Sequence, residues 1–189
     1  IYNIKSRDLS TVLTKYPKSD FSNNFNEKAY LIGFRLGDLN VYTVKKLIQV
    51  RCSTTIPEQV ELIDGLFKNY GNVHIWIAKR GTYEIIILLN NSFFFLLPKK
   101  DKIESWILKK KTYFLSFLAG YADAEGSYYL RKPYKYLDRN SRYYWGIFEI
   151  QTYDKNIIST INNELKNLEI SGTFAKSRSA GYIDKRGIK

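Results

Sequence analysis

The chain has 189 residues, with 30 Lys and Arg against 18 Asp and Glu, a formal net charge of +12. That balance favours an acidic polymer or an anionic surface as partner, but no apolar run reaches the roughly 18–20 residues of a membrane span, which leaves nucleic acid ahead of membrane. Cys52 and His74 are the only residues of their kind, so disulfides and Cys/His zinc sites are excluded, and a His-dependent triad would rest on one side chain.

Residues 1–27 are polar, with Pro17 and the run Ser22-Asn23-Asn24, and read as an arm or the remnant of an upstream DNA-binding module. A helix is expected over 27–37. Two short strands follow, with Val41 and then Ile48, Val50 and Cys52 facing inward and Gln49, Arg51 and Ser53 outward, the period of half-buried antiparallel strands. Lys45-Lys46 forms the turn between them. Thr55 stands where an N-cap would, with Pro57 and Glu58 opening a helix. Val60, Ile63 and Phe67 give that helix its buried face, and Gly71 is the expected C′ stop. Strands over 73–79 and 82–89, hinged at Arg80-Gly81, and a short aromatic helix over 91–97 complete an αββαββα order.

Residues 98–111 contain six lysines and read as a solvated linker. The pattern then restarts with a helix over 116–125 and a strand over 127–132. A charged loop over 133–142 leads to a longer strand over 143–152. Asp154 caps a last helix, whose Ile157, Ile161, Leu165 and Leu168 share one face and which stops near Gly172. The expected architecture is α+β: a first half over 28–98, a basic linker over 99–111, and a second half over 112–189 that is incomplete at its C-terminal end.

The restart is visible in the letters. Residues 31–39 read LIGFRLGDL and residues 118–126 read LAGYADAEG, offset by 87 positions (118 − 31). Ala29, Gly33 and Gly37 recur every four residues, as do Ser116, Gly120 and Ala124, so each helix has a small-residue stripe where another backbone can approach. Each stripe could instead pack on its own sheet, but two matching stripes favour packing on each other. Each helix also ends in an acid, Asp38 or Glu125, where the macrodipole is negative and a carboxylate is disfavoured. One such acid would be an ordinary solvated carboxylate. Two brought together would repel and raise each other's pKa, and a divalent cation removes both penalties. Asp123 has Leu36 as its counterpart and is assigned to packing or capping.

These two segments resemble the signature helices of the LAGLIDADG homing endonucleases, in the two-motif, single-chain form. The resemblance covers residues 28–189 and implies two pseudo-symmetric αββαββα halves, with antiparallel, saddle-shaped sheets over duplex DNA and two motif helices packed between them. It implies a monomer that cuts both strands of a long DNA target across the minor groove, with Mg²⁺ as cofactor and Mn²⁺ or Ca²⁺ able to replace it in binding. By the same resemblance Asp38 and Glu125 bind the metal ions. Lys99 and Lys100 stand where the family has a catalytic basic residue, and Cys52 and Thr152 stand at strand ends where polar groups position water. The first motif departs from the pattern at Arg35, Leu36 and Leu39, and Arg35 is expected to face outward near the sheet edge. A non-cleaving DNA-binding regulator or an RNA maturase would share the same fold.

Under this resemblance the DNA-facing positions alternate along the strands. Tyr42, Val44 and Lys46 match Tyr129, Arg131 and Pro133, and Gln49 and Arg51 are set against Glu149 and Gln151. Arg reads guanine and Gln reads adenine in the major groove. His74 and Trp76 on the third strand, and Lys176 and Arg178 near the end of the chain, complete the expected contact set.

Overall fold

The computed structural model describes residues 17–131 and 144–176, which group into two compact units divided after Gln151. Helix α1 (Phe25–Gly37) begins two residues earlier than its apolar pattern suggests, because Asn24 caps it: its side chain accepts the Asn26 and Glu27 N–H groups at 2.9 and 3.3 Å. Strands β1 (Asn40–Val44) and β2 (Leu47–Thr54) follow, joined through Lys45 at φ 54°. Helix α2 (Pro57–Phe67), β3 (Val73–Ile77), β4 (Tyr83–Leu89) and a 3-10 helix (Asn91–Leu96) complete the first set.

The four strands form one antiparallel sheet in the order β1-β2-β4-β3. Its inner face presents Val41, Ile48, Val50, Cys52, Ile85, Ile87 and Leu89 to Leu31, Phe34, Ile63, Phe67 and Phe93, all buried in one core. The other face is set by register. Tyr42, Gln49 and Leu88 stand in one row, Asn40, Arg51, Ile86 and His74 in the next, and Ser53, Glu84 and Trp76 in a third.

Three local expectations change. The N-cap of α2 is Ile56, not Thr55; the Thr54 hydroxyl accepts the Ile56 N–H at 3.1 Å and makes the turn that places Pro57 at the helix start. Gly71 is not a left-handed stop: its N–H bonds to Phe67 O at 3.1 Å, and an added Cβ would lie 2.7 Å from the Leu88 carbonyl oxygen. Glycine is there for close approach to β4. Nor is the lysine-rich segment simply solvated. Ile103 and Ile107 are buried, a one-turn helix α3 (Ser105–Leu108) forms around them, and Trp106 packs edge-on against Phe25 and Tyr113. Two isoleucines four apart outweigh the surrounding charge.

Helix α4 (Lys111–Glu125) starts five residues before 116, since Phe114 and Phe117 extend its buried face. It runs into β5 (Gly126–Arg131), which pairs antiparallel with β6 (Trp145–Ile150). The expected loop over 133–142 lies outside the described residues, as does the start of the 143–152 strand. In the second unit, α5 (Lys155–Asn167) buries Ile157 and Ile161 and leaves Leu165 and Leu168 half-buried. It ends before Gly172. Glu169 adopts φ 61°, its N–H bonds to Lys166 O, and the Ile170 N–H reaches Leu165 O at 2.9 Å, a Schellman closure without glycine.

The most extensive contact between elements is α1 against α4. A Cβ on Gly33 would lie 2.9 Å from the Tyr121 nitrogen and nearer still to Phe117 O; one on Gly120 would lie 3.0 Å from the Phe34 nitrogen and nearer still to Tyr30 O. Each of these atoms has its partner 87 positions along, so the contact is pseudo-twofold at the level of backbone atoms. Across it the Tyr30 hydroxyl donates to Asp123 at 2.6 Å, which gives Asp123 the packing role expected of it.

Gly120→Ala is therefore expected to cost about 2–3 kcal/mol, since only backbone can give way. Gly65, exposed inside α2 with nothing within 4 Å of an added Cβ, is the control. Gly65→Ala should stabilise by about 0.5–1 kcal/mol. Urea unfolding of both variants checks this, and a Gly120→Ala protein as stable as the parent would contradict the packing.

Candidate metal centre

Asp38 is the C-cap of α1, its N–H bonded to Phe34 O at 3.2 Å. The preceding residue, Gly37, faces the other helix. A Cβ there would collide with that of Ala124 and sit 3.1 Å from Glu125 Cγ and 3.3 Å from Glu125 Oε1. The carboxylate that ends α4 thus reaches the residue next to Asp38. The small-residue stripes thus bring the end of α4 against the residue before Asp38.

Three other side chains define the setting of Asp38. Gln59, in the first turn of α2, donates its amide to Asp38 Oδ2. Lys99 donates to the Gly37 carbonyl at 3.3 Å. Arg35 is buried, 5% exposed, and donates through Nε to Leu96 O at 2.9 Å and through Nη1 to Leu39 O. The expectation that Arg35 faces outward is wrong. It lies on the last turn of α1, and its acceptors are the carbonyl of Leu39, just past the C-cap, and the last carbonyl of the 3-10 helix. Its pKa is lowered by burial.

Burial raises the pKa of Asp38, against the lowering effects of the Gln59 hydrogen bond and the Lys99 charge. Both lysines singled out from sequence are exposed, and Lys99 is the one whose charge acts on Asp38. Cys52 is buried, and burial with the nearby Asp38 charge pushes its thiol up to about 11. A groove of about 570 Å³ opens beside Asp38, lined also by Gln59, Thr54, Glu58, Asp123 and Ala124.

Gln59 was not legible from sequence. A polar residue in the first turn of an exposed helix has no distinctive spacing, and only the packed structure shows it facing Asp38. Strand register also changes the matching of the halves. Asn40 pairs with Arg51 and Ser127 with Glu149, so Arg51 corresponds to Glu149, Gln49 to Ile147 and Ser53 to Gln151. The counterpart of Cys52 is then Ile150, not Thr152. Thr152 corresponds to Thr54: its hydroxyl accepts the Asp154 N–H at 3.1 Å, the same turn that Thr54 makes with Ile56. The reason is the unequal connection between paired strands, two residues in the first half and far more in the second.

The outer face of the first sheet holds the expected contact residues in register. Tyr42, Arg51 and His74 are exposed, Gln49 and Trp76 half-buried, and Lys46 exposed in the β1–β2 turn. Arg51 donates to the Tyr42 hydroxyl at 3.4 Å, and the His74 and Trp76 rings lie 5.2 Å apart. On the second sheet Tyr129 and Arg131 are exposed, and Glu149 accepts from Tyr129 at 2.8 Å and from Gln151. Lys176 is exposed. Pro133 and Arg178 lie outside the described residues.

Among the described residues no three His, Cys, Asp or Glu side chains cluster as a closed metal site. The Asp38 carboxylate beside this groove suits a hard divalent cation that completes its shell with water and phosphate oxygens. No helix among the described residues is long and apolar enough to cross a membrane.

No protein-family model and no curated protein matches the chain. Solved structures do. The homing endonuclease I-DmoI in complex with DNA and Mn is similar at 18% identity and a TM-score of 0.49, with 76% of this chain and 78% of that chain covered. The homing endonuclease I-WcaI, bound to its DNA recognition sequence, is similar at 17% identity and a TM-score of 0.48, with 78% and 69% covered. The LAGLIDADG meganuclease I-AabMI, bound to uncleaved DNA, is similar at 14% identity and a TM-score of 0.46, with 79% and 74% covered.

The raised pKa of Asp38 has a stability consequence. A carboxyl whose folded pKa exceeds its unfolded value of 3.8 destabilises the fold when ionised, and the penalty vanishes once pH falls below 3.8. Asp38→Asn, which can still accept from Gln59, should therefore melt at a higher temperature than the parent at pH 7. The difference should close as pH is lowered through the raised pKa towards 3.8. A variant that melts lower than the parent at pH 7 would contradict this reading.

Proposed function

We propose that this chain is a LAGLIDADG-type, divalent-metal-dependent endonuclease that acts as a monomer on both strands of duplex DNA. One observation supports this above the others: backbone-to-backbone packing at Gly33 and Gly120 leads to Glu125 Oε1 lying against Gly37, beside Asp38. A structural module has no need to bring two anions together at two helix C-termini. The halves are 28–98 and 112–189, joined by 99–111.

In this reading Asp38 and Glu125 hold Mg²⁺ where the scissile phosphates arrive. When bound, the cation lowers the pKa of a water and neutralises charge on the phosphate and the leaving 3′ oxygen. Gln59 fixes the orientation of the Asp38 carboxylate. Lys99 places a positive charge beside the same carboxylate and can share the negative charge that builds on the phosphate. The outer sheet faces bind the duplex: Arg51 and Gln49 supply donors suited to base edges, and Lys46 and Arg131 add charge for phosphates.

A randomised duplex library incubated with the protein and Mg²⁺ tests the chemistry. The parent should cut a subset of sites, and Asp38→Asn and Glu125→Gln should each lower single-turnover cleavage by about 10³-fold or more, as expected when a residue holding the catalytic cation is lost. Tight binding by the parent without any cutting would refute the nuclease. Affinity should also fall by about 10³-fold between 50 and 200 mM salt if some six phosphates are neutralised. A binding constant insensitive to salt would remove the sheet faces from the DNA.

A further inference from the structure

Lys99 has a part in the proposed chemistry beside Asp38, but the buried Arg35 does not. It is one of two buried polar side chains among the described residues, and it has no carboxylate partner among the ion pairs found there. Its two bonds run to carbonyls of different segments. Leu39 directly follows Asp38, and Leu96 ends the 3-10 helix three residues before Lys99. Lys99 in turn grips the Gly37 carbonyl, directly before Asp38. The acid is thus flanked on both sides by carbonyls held by cations, and the guanidinium spans the gap between the acid's turn and the lysine's segment.

Burying a guanidinium without a counter-ion is costly, and packing does not require it here. The position 87 residues on, in the matching helix, is Ala122, so the same helix geometry forms with a methyl group. A planar fork holds two separate carbonyls in a fixed geometry; lysine, with three rotatable donors on a flexible stem, holds them less rigidly.

We propose that Arg35 is a positioning residue for the metal centre: its guanidinium locks the Asp38 turn to the segment carrying Lys99, fixing the carboxylate for the cation. This rests on the metal-dependent reading above.

The test uses the full chain bound to a duplex selected from the library, with Arg35→Lys and Arg35→Met compared with the parent. Metal-free DNA affinity should stay within twofold in both variants. The Mn²⁺ concentration for half-saturation, read from the EPR signal of the free ion, should rise at least tenfold in Arg35→Met and by less in Arg35→Lys. Cleavage should recover towards the parent rate at saturating Mn²⁺. Amide hydrogen exchange without metal should quicken at residues 38–40 and at Leu97 and Lys99 together. Folded variants that keep the parent's Mn²⁺ midpoint overturn the proposal. If Arg35→Met does not fold, Arg35→Lys decides by the same midpoint; if that variant also fails to fold, Arg35 is a folding residue and the proposal is wrong. A parent that binds Mn²⁺ through Asp38 but cuts nothing counts against the nuclease, while the midpoints still decide the role of Arg35.

Discussion

The close approach of two helix backbones at Gly33 and Gly120 is the constraint on which the rest depends. With no side chain at either position, the carbonyl of Tyr30 and that of Phe117 come against the opposite helix at distances no Cβ would tolerate. This contact fixes the separation and the register of α1 and α4 in one step. Because the two helices are offset copies, fixing one pair of glycines also fixes the next pair, Gly37 with Ala124, and then the acids that follow. A slip of one helical turn would carry the glycines past each other and separate Asp38 from Glu125.

What the packing brings together, electrostatics resists. Asp38 and Glu125 stand at helix ends where backbone carbonyls already face outward, and Asp38 is partly buried with its pKa raised. The surrounding groups offset this in part: Gln59 donates to the carboxylate, and Lys99 and Arg35 take up the neighbouring carbonyls. A residual conflict of this kind is expected where a site is organised for a ligand rather than for stability alone.

Much of this was legible in the sequence, for identifiable reasons. Small residues at intervals of four, repeated 87 positions apart, pointed to a helix pair, and the structure packs the two helices through Gly33, Gly37, Gly120 and Ala124. Period-two alternation placed β1 and β2 and sorted Gln49 and Arg51 from Val50 and Cys52. Three things were out of reach. Arg35 looked outward because propensity says nothing about carbonyls of other segments, at Leu39 and Leu96, that meet it only in the packed fold. Gln59 meets Asp38 only after α2 folds over the sheet. The equivalence of Arg51 with Glu149 depends on strand register, which the unequal connections between paired strands hide.

The central claim is that one cation site is shared between the ends of the two halves. Its most direct measurement is anomalous diffraction from crystals of the protein with bound duplex and Mn²⁺. The account predicts anomalous density within about 2.1 Å of carboxylate oxygens of both Asp38 and Glu125, the distance of a hard divalent ion from its oxygen ligands. Manganese held elsewhere, or by neither acid, would contradict it.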